Sequence, residues 1–139
     1  MTCRLLGQNL RRELDVFWSA ERAVDLQYLQ ETQRFARFVK ERARLGLLNN
    51  NYVEEIVDYE TAAIELRFAN RTVEPLIRFV RFSHDPSRLL GLLEKSEPIP
   101  EDLPHGDYCV LLKARGGVLE VRLGACSDAK TVSLDQRPS

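Results

Sequence analysis

The feature that most constrains this chain is a single change in the period of its apolar residues at Pro75. Before that proline, apolar residues recur at spacings of three and four, the period of one helix face. After it, Leu76-Ile77-Arg78-Phe79-Val80-Arg81-Phe82 is rich in β-formers and alternates arginine with aliphatic or aromatic partners, the period of a strand. One such switch predicts an α+β protein: an N-terminal helical half followed by a small β-α-β-β antiparallel sheet with an open edge. With 139 residues, 44% hydrophobic and 29% charged, the chain has the balance of one ordinary globular domain that needs no disulfides or metals to hold its core.

In the helical half, Leu6, Leu10, Leu14, Phe17 and Trp18 form one stripe, which predicts a helix from about residue 4. A longer helix is expected from Ser19, an N-cap candidate, to Arg44. It turns Val24, Tyr28, Phe35, Phe38 and Val39 inward and is closed by Gly46; alternatively the two helices form one kinked helix. Asn51 with Glu54 three residues on has the spacing of a capping box. It opens a third helix that buries Val53, Ile56, Val57, Ala63, Ile64 and Phe68.

Beyond the first strand, Ser83-His84-Asp85-Pro86 offers an N-cap followed by proline at the first helical position, so a short helix bearing Leu89, Leu90, Leu92 and Leu93 follows. Glu94 to Gly106, with Pro98, Pro100 and Pro104, is expected as an irregular surface connection. Tyr108–Lys113 and Val118–Leu123, joined through Ala114-Arg115-Gly116-Gly117, predict a hairpin whose glycines take the positive φ of a tight turn. Everything from Cys126 onward is polar and expected to fray. The organisation read this way is a helical region 1–75, a sheet module 76–125 of the peptide-recognising kind, and a polar tail 126–139.

The net charge of −1 gives no general attraction to nucleic acid or to an anionic membrane. No apolar run is long enough to span a bilayer, and Arg11, Arg12 and Glu13 interrupt any export signal near the N-terminus. Cys3, Cys109 and Cys126 form no CxxC pair, as expected for reduced thiols in the cytoplasm.

Catalytic patterns are sparse. His84 and His105 lack a second ligand at metal-binding spacing, and there is neither a Gly-rich phosphate loop nor a GxSxG elbow. The expectation is therefore a chain that is not an enzyme by itself and holds no metal. His84 reads as a turn residue. The acids Glu54, Glu55, Asp58, Glu60 and Glu65 read as a solvated face or a docking surface. Arg34, Arg37, Lys40, Arg42 and Arg44 suit the C-terminal half of a helix, where the dipole favours cations. Arg67, Arg71, Arg78, Arg81 and Arg88 border a segment whose backbone could pair with an incoming acidic strand.

The order of three signals resembles a known family. They are the acidic helix Tyr52-Val53-Glu54-Glu55-Ile56-Val57-Asp58-Tyr59-Glu60, the strand and turn Ile77-Arg78-Phe79-Val80-Arg81-Phe82-Ser83-His84-Asp85-Pro86, and the hairpin Tyr108-Cys109-Val110-Leu111-Leu112-Lys113-Ala114-Arg115-Gly116-Gly117-Val118. Over roughly residues 52 to 123 the chain is similar to the partner proteins of multinuclear non-heme iron-dependent oxidases. These serve pathways of ribosomally made, post-translationally modified peptides such as those for methanobactin and thiaglutamate. The resemblance implies a non-catalytic accessory subunit that forms a heterodimer with the oxidase, with the iron in the partner enzyme and no cofactor in this chain. It implies that the leader of a precursor peptide adds as a strand, so that a peptide cysteine is modified by the partner. Arg71, Arg78, Phe79, Val80, Arg81 and Phe82 are then the peptide-binding candidates, and Glu54, Glu55, Asp58, Tyr59 and His84 the partner-interface candidates. The hairpin strand Val118 to Leu123 stays open as the alternative edge. The competing reading is a winged-helix DNA-binding regulator with Arg115 at the wing tip, although residues 52 to 66, its best recognition helix, carry five acids and no base.

Overall fold

Two successive glycines set the sheet. In the computed structural model, which describes residues 1–20, 28–69 and 75–126, Gly116 and Gly117 have φ of 56° and 83°. Positive φ at both central positions gives a two-residue turn whose twist matches the strands it joins. It folds β2 (His105–Arg115) onto β3 (Val118–Ala125) in an unbroken antiparallel register from Arg115↔Val118 to Tyr108↔Ala125. The alternating segment after Pro75 forms β1 (Leu76–His84), which pairs antiparallel with the other side of β2 from Leu76↔Ala114 to Phe82↔Tyr108. The sheet order is β1-β2-β3, so the hairpin's first strand is central. The register slips between Phe82 and His84, where Gly106 and Asp107 of β2 stand opposite the single residue Ser83, so the bulge lies in β2.

The helices are α1 (Thr2–Leu6), a 3-10 turn (Gly7–Asn9), α2 (Leu10–Ala20), α3 (Tyr28–Arg44), α4 (Val53–Ala69) and, between β1 and β2, α5 (Pro86–Lys95). The expected α+β arrangement is present: helices first, then β-α-β-β. Ser19, the expected start of the second helix, lies within α2, and the expected inward residue Val24 falls outside the described residues. Gly46 has φ 69°, and the backbone bonds Gly46 N–H to Ala43 C=O and Leu47 N–H to Arg42 C=O close α3 as expected. At α5 the Asp85 carboxylate accepts from the N–H groups of Ser87 (3.0 Å) and Arg88 (3.4 Å), with Pro86 in the first turn where its missing donor costs nothing.

The capping box at Asn51 does not form. Asn50 instead accepts from the Tyr52 N–H (2.9 Å), an Asx-type turn, and Glu54 is drawn 3.3 Å from Arg44. Helix α4 also departs from a one-faced pattern, because it lies between two layers. Ile56, Ala63 and Leu66 pack toward Val80, Phe82, Val110, Leu112 and the α5 leucines, while Val53 and Val57 pack toward Leu6, Val39 and Leu48. Phe68, expected in the core, stands half exposed near the C-terminal end of α4. The helical half and the sheet therefore share α4 as a common core element. No helix among the described residues is long and apolar enough to cross a membrane.

Much of the charge read along α3 and α4 is paired within the molecule. Lys40 lies 2.5 Å from Asp58, and Arg44 lies beside Glu54. Glu60 accepts from the Met1 ammonium group and from the Thr2 backbone and hydroxyl, while Glu65 accepts from Gln33 (3.0 Å). Glu13 on α2, only 1% exposed, takes a two-pronged contact from Arg42, with Nε at 2.7 Å and Nη2 at 3.1 Å. That hydrogen bond raises the Arg42 pKa further and so holds its guanidinium charged.

The connection Glu94–Gly106 is irregular but not merely superficial. Leu103 is buried in the sheet-side core, and the loop is fastened by Tyr52, whose hydroxyl donates to Pro100 C=O (2.7 Å) and accepts from Leu103 N–H (3.1 Å).

Candidate functional site

Three strands leave two outer edges, and a strand edge is a row of backbone donors and acceptors waiting for a partner. Among the described residues no strand pairs with the outer side of β1 or of β3. The β1 edge has the more elaborate surroundings. Val80 and Phe82 point into the core, 6% and 2% exposed, so they can meet a ligand only through their backbone. On the opposite face of the same strand Phe79 is 43% exposed beside Leu111, its partner on β2, with Ile77 half-buried next in line.

Below the strand, where α4 ends, Leu29, Leu66, Phe68, Leu76 and Arg78 line an open groove of about 310 Å³. A strand laid along β1 would thus find apolar surface on both faces, Phe79 above and Phe68 below. Arg78 and Arg81 are exposed along the same strand. Arg78 donates to its neighbour's carbonyl, Ile77 C=O (3.2 Å), and Arg81 contacts Asp107 (3.0 Å), with both of those side chains largely in solvent. The Asp107 carboxylate holds the Arg81 guanidinium even more firmly charged than usual. Arg71, the sixth peptide-binding candidate, lies outside the described residues.

The far end of β1 is closed differently. At Ser83, opposite the β2 bulge, the backbone N–H is taken up by Glu55 of α4 at 2.7 Å, and Glu55 also accepts from the Ser83 hydroxyl. Both oxygens of Glu55 lie 3.2 Å from Nδ1 of His84. A carboxylate only accepts, so Nδ1 carries the proton. His84 is therefore a buried strand-end residue and not the turn residue its sequence setting suggested. It is 6% exposed, with its ring 4.3 Å from that of His105 and 4.7 Å from that of Tyr52. Ser83 Oγ also lies on the Nδ1 side (3.3 Å). A serine–histidine–carboxylate relay needs the hydroxyl on one ring nitrogen and the carboxylate on the other, so this cluster has the geometry of a fastener between α4 and the end of β1.

The partner-interface candidates are consequently scattered among internal roles. Glu55 and His84 form the fastener, Glu54 and Asp58 pair with α3, and Tyr59 is half-buried edge-on to Phe82, with burial and then Glu94 raising its pKa. The acids are not the free face that helical spacing suggested. Only Glu54 and Asp58 keep substantial solvent contact, at 44% and 48%. Sequence reasoning missed the Tyr52 and Glu13 contacts, whose partners lie 51 and 29 residues away.

At the same end of the sheet, opposite Arg81, Cys109 is buried. Desolvation first and the neighbouring Cys126 thiol second push its own thiol up, and Cys126 donates to Tyr108 C=O (3.0 Å). Among the described residues no group of three or more His, Cys, Asp or Glu side chains is placed to hold a metal ion. No protein-family model matches the chain, and neither curated proteins nor solved structures yield a match.

Proposed function

We propose that this chain is a non-catalytic accessory subunit that works in the cytoplasm, docks on a multinuclear iron-dependent oxidase and recruits the leader of a precursor peptide as an added strand. The observation that carries the recruiting role is the outer edge of β1, which has no strand partner among the described residues and is bordered by Phe79 on one face and the Phe68 groove on the other. Main-chain hydrogen bonds supply affinity in this mode and alternate side chains supply selectivity. Arg78 lies on the face of Leu76 and Val80 and Arg81 on the face of Phe79, so the pair favours a leader with one acid on each face, three positions apart. The Glu55 cap on Ser83 stops the added strand at that end, so the peptide lies against Leu76 to Phe82. The link to an oxidase rests on the resemblance of residues 52 to 123, and in that reading the iron, the oxygen chemistry and the modified cysteine belong to the partner and its substrate.

The test is co-expression with a candidate oxidase, followed by size-exclusion chromatography and fluorescence anisotropy with the encoded leader peptide. A one-to-one complex that binds the leader, with binding lost in R78E/R81E at unchanged circular dichroism, supports the proposal. A chain that ignores both oxidase and leader but binds random duplex DNA with a steep salt dependence overturns it in favour of the regulator.

A further inference from the structure

The second sheet edge has a different character. Every residue of β3 except Leu119 is exposed, and its pairing with β2 runs without a bulge from Val118 to Ala125. Proteins commonly protect an edge with proline, lysine, a bulge or a covering element. Among residues 118–125 there is no proline and no lysine, and no described strand lies beyond.

The register shows what the edge presents. Leu119, Val121 and Leu123 stand opposite Ala114, Leu112 and Val110, the β2 residues that face the helices. Those three β2 side chains are essentially buried, yet Val121 and Leu123 are 41% and 45% exposed. The helical layer therefore covers β3 only in part, reaching Leu119 but not Val121 or Leu123, and leaves an apolar ledge continuous with the core. On the other face Glu120 stands opposite Lys113 and Arg122 opposite Leu111, both exposed, with only a loose 4.0 Å contact to each other.

We propose that β3 is the contact edge for a second copy of this chain, the two β3 strands pairing antiparallel about a two-fold axis at Val121 to make one six-stranded sheet. An axis there sets Val121 against Val121 of the second copy and Leu119 against Leu123, so the two ledges cover each other. It also sets Glu120 against Arg122 on both sides of the axis. Shifting the axis to Glu120 or to Arg122 keeps the faces matched but places like charges directly opposite, so the charges select one register. This contact uses the edge that the peptide proposal leaves open and stands whether or not β1 takes a peptide.

The test is sedimentation velocity of the full-length chain over micromolar concentrations, with circular dichroism confirming that each variant is folded. Wild type is expected to dimerise. E120R and R122E, each of which sets like charges across the axis, are expected to weaken dimerisation by about tenfold or more. Mixing E120R with R122E restores opposite charges at both places and should recover a heterodimer from two poorly associating chains, and the swap E120R/R122E should dimerise by itself. A wild type that stays monomeric across the range, or a dimer indifferent to these reversals and to their mixture, overturns the proposal.

Discussion

Removing a single oxygen from Tyr52 is expected to loosen the loop that leads into the central strand. The hydroxyl serves two backbone groups at once, donating to Pro100 C=O at 2.7 Å and accepting from Leu103 N–H at 3.1 Å, 51 residues away along the chain. In Tyr52→Phe the ring keeps its place against His84, 4.7 Å away, so the change isolates the hydrogen bonds. Pro100 is half-buried and can exchange its partner for water at small cost. Leu103 is 2% exposed, and its N–H is left without an acceptor in a place water does not readily reach. A buried unsatisfied donor costs about 1–3 kcal/mol, so the expected loss is about 2 kcal/mol, read as a lower urea midpoint at unchanged slope. Amide hydrogen exchange gives the site-specific check: Leu103 is protected in the wild type and should exchange at loop rates in the variant. A loss below about 0.5 kcal/mol with Leu103 still protected would refute the role given to this hydroxyl.

Asp85→Ala should cost about 1 kcal/mol in urea denaturation, because the first turn of α5 loses the acceptor for Ser87 and Arg88; an unchanged midpoint would contradict the cap. Glu13→Leu alone should be more destabilising than the pair Glu13→Leu with Arg42→Met, since only the single change strands a charge beside the core; equal midpoints would mean the ion pair is not coupled. Cys109 should alkylate last and Cys3 first at neutral pH when followed by mass spectrometry. Burial raises the Cys109 pKa above the ordinary thiol value, so its reactive thiolate accumulates only as pH climbs past that value. Comparable rates for Cys3 and Cys109 at neutral pH would contradict the buried placement.

The parts of the fold legible from the sequence are those decided by neighbours. The switch at Pro75, the Gly116–Gly117 turn, the Asp85–Pro86 helix start and the Gly46 stop each rest on backbone preferences that act within a few residues. What was missed depends on distant packing. Helix α4 is covered on two sides, so its apolar positions do not reduce to one stripe, and Phe68 keeps the helical period yet is half exposed. Acidic spacing along α4 could not reveal that Lys40, Arg44, Ser83 and the N-terminus stand opposite those acids. Asn51 and Glu54 have capping-box spacing, but Asn50 and Arg44 compete for the same groups and win. For the candidate site, the alternation of Arg78, Phe79 and Arg81 pointed to β1, whereas the apolar ground below it depends on where Phe68 and Leu29 come to rest. The self-complementary charges of β3 were visible as letters, but their meaning required the register with β2.

The most direct test of the account is hydrogen–deuterium exchange of the chain with and without the leader peptide, in the presence of the oxidase. The account predicts that the peptide protects amides within Leu76 to Phe82 and leaves those of Val118 to Ala125 unchanged. Protection confined to β3, or none in either edge strand at saturating peptide, would contradict recruitment along β1.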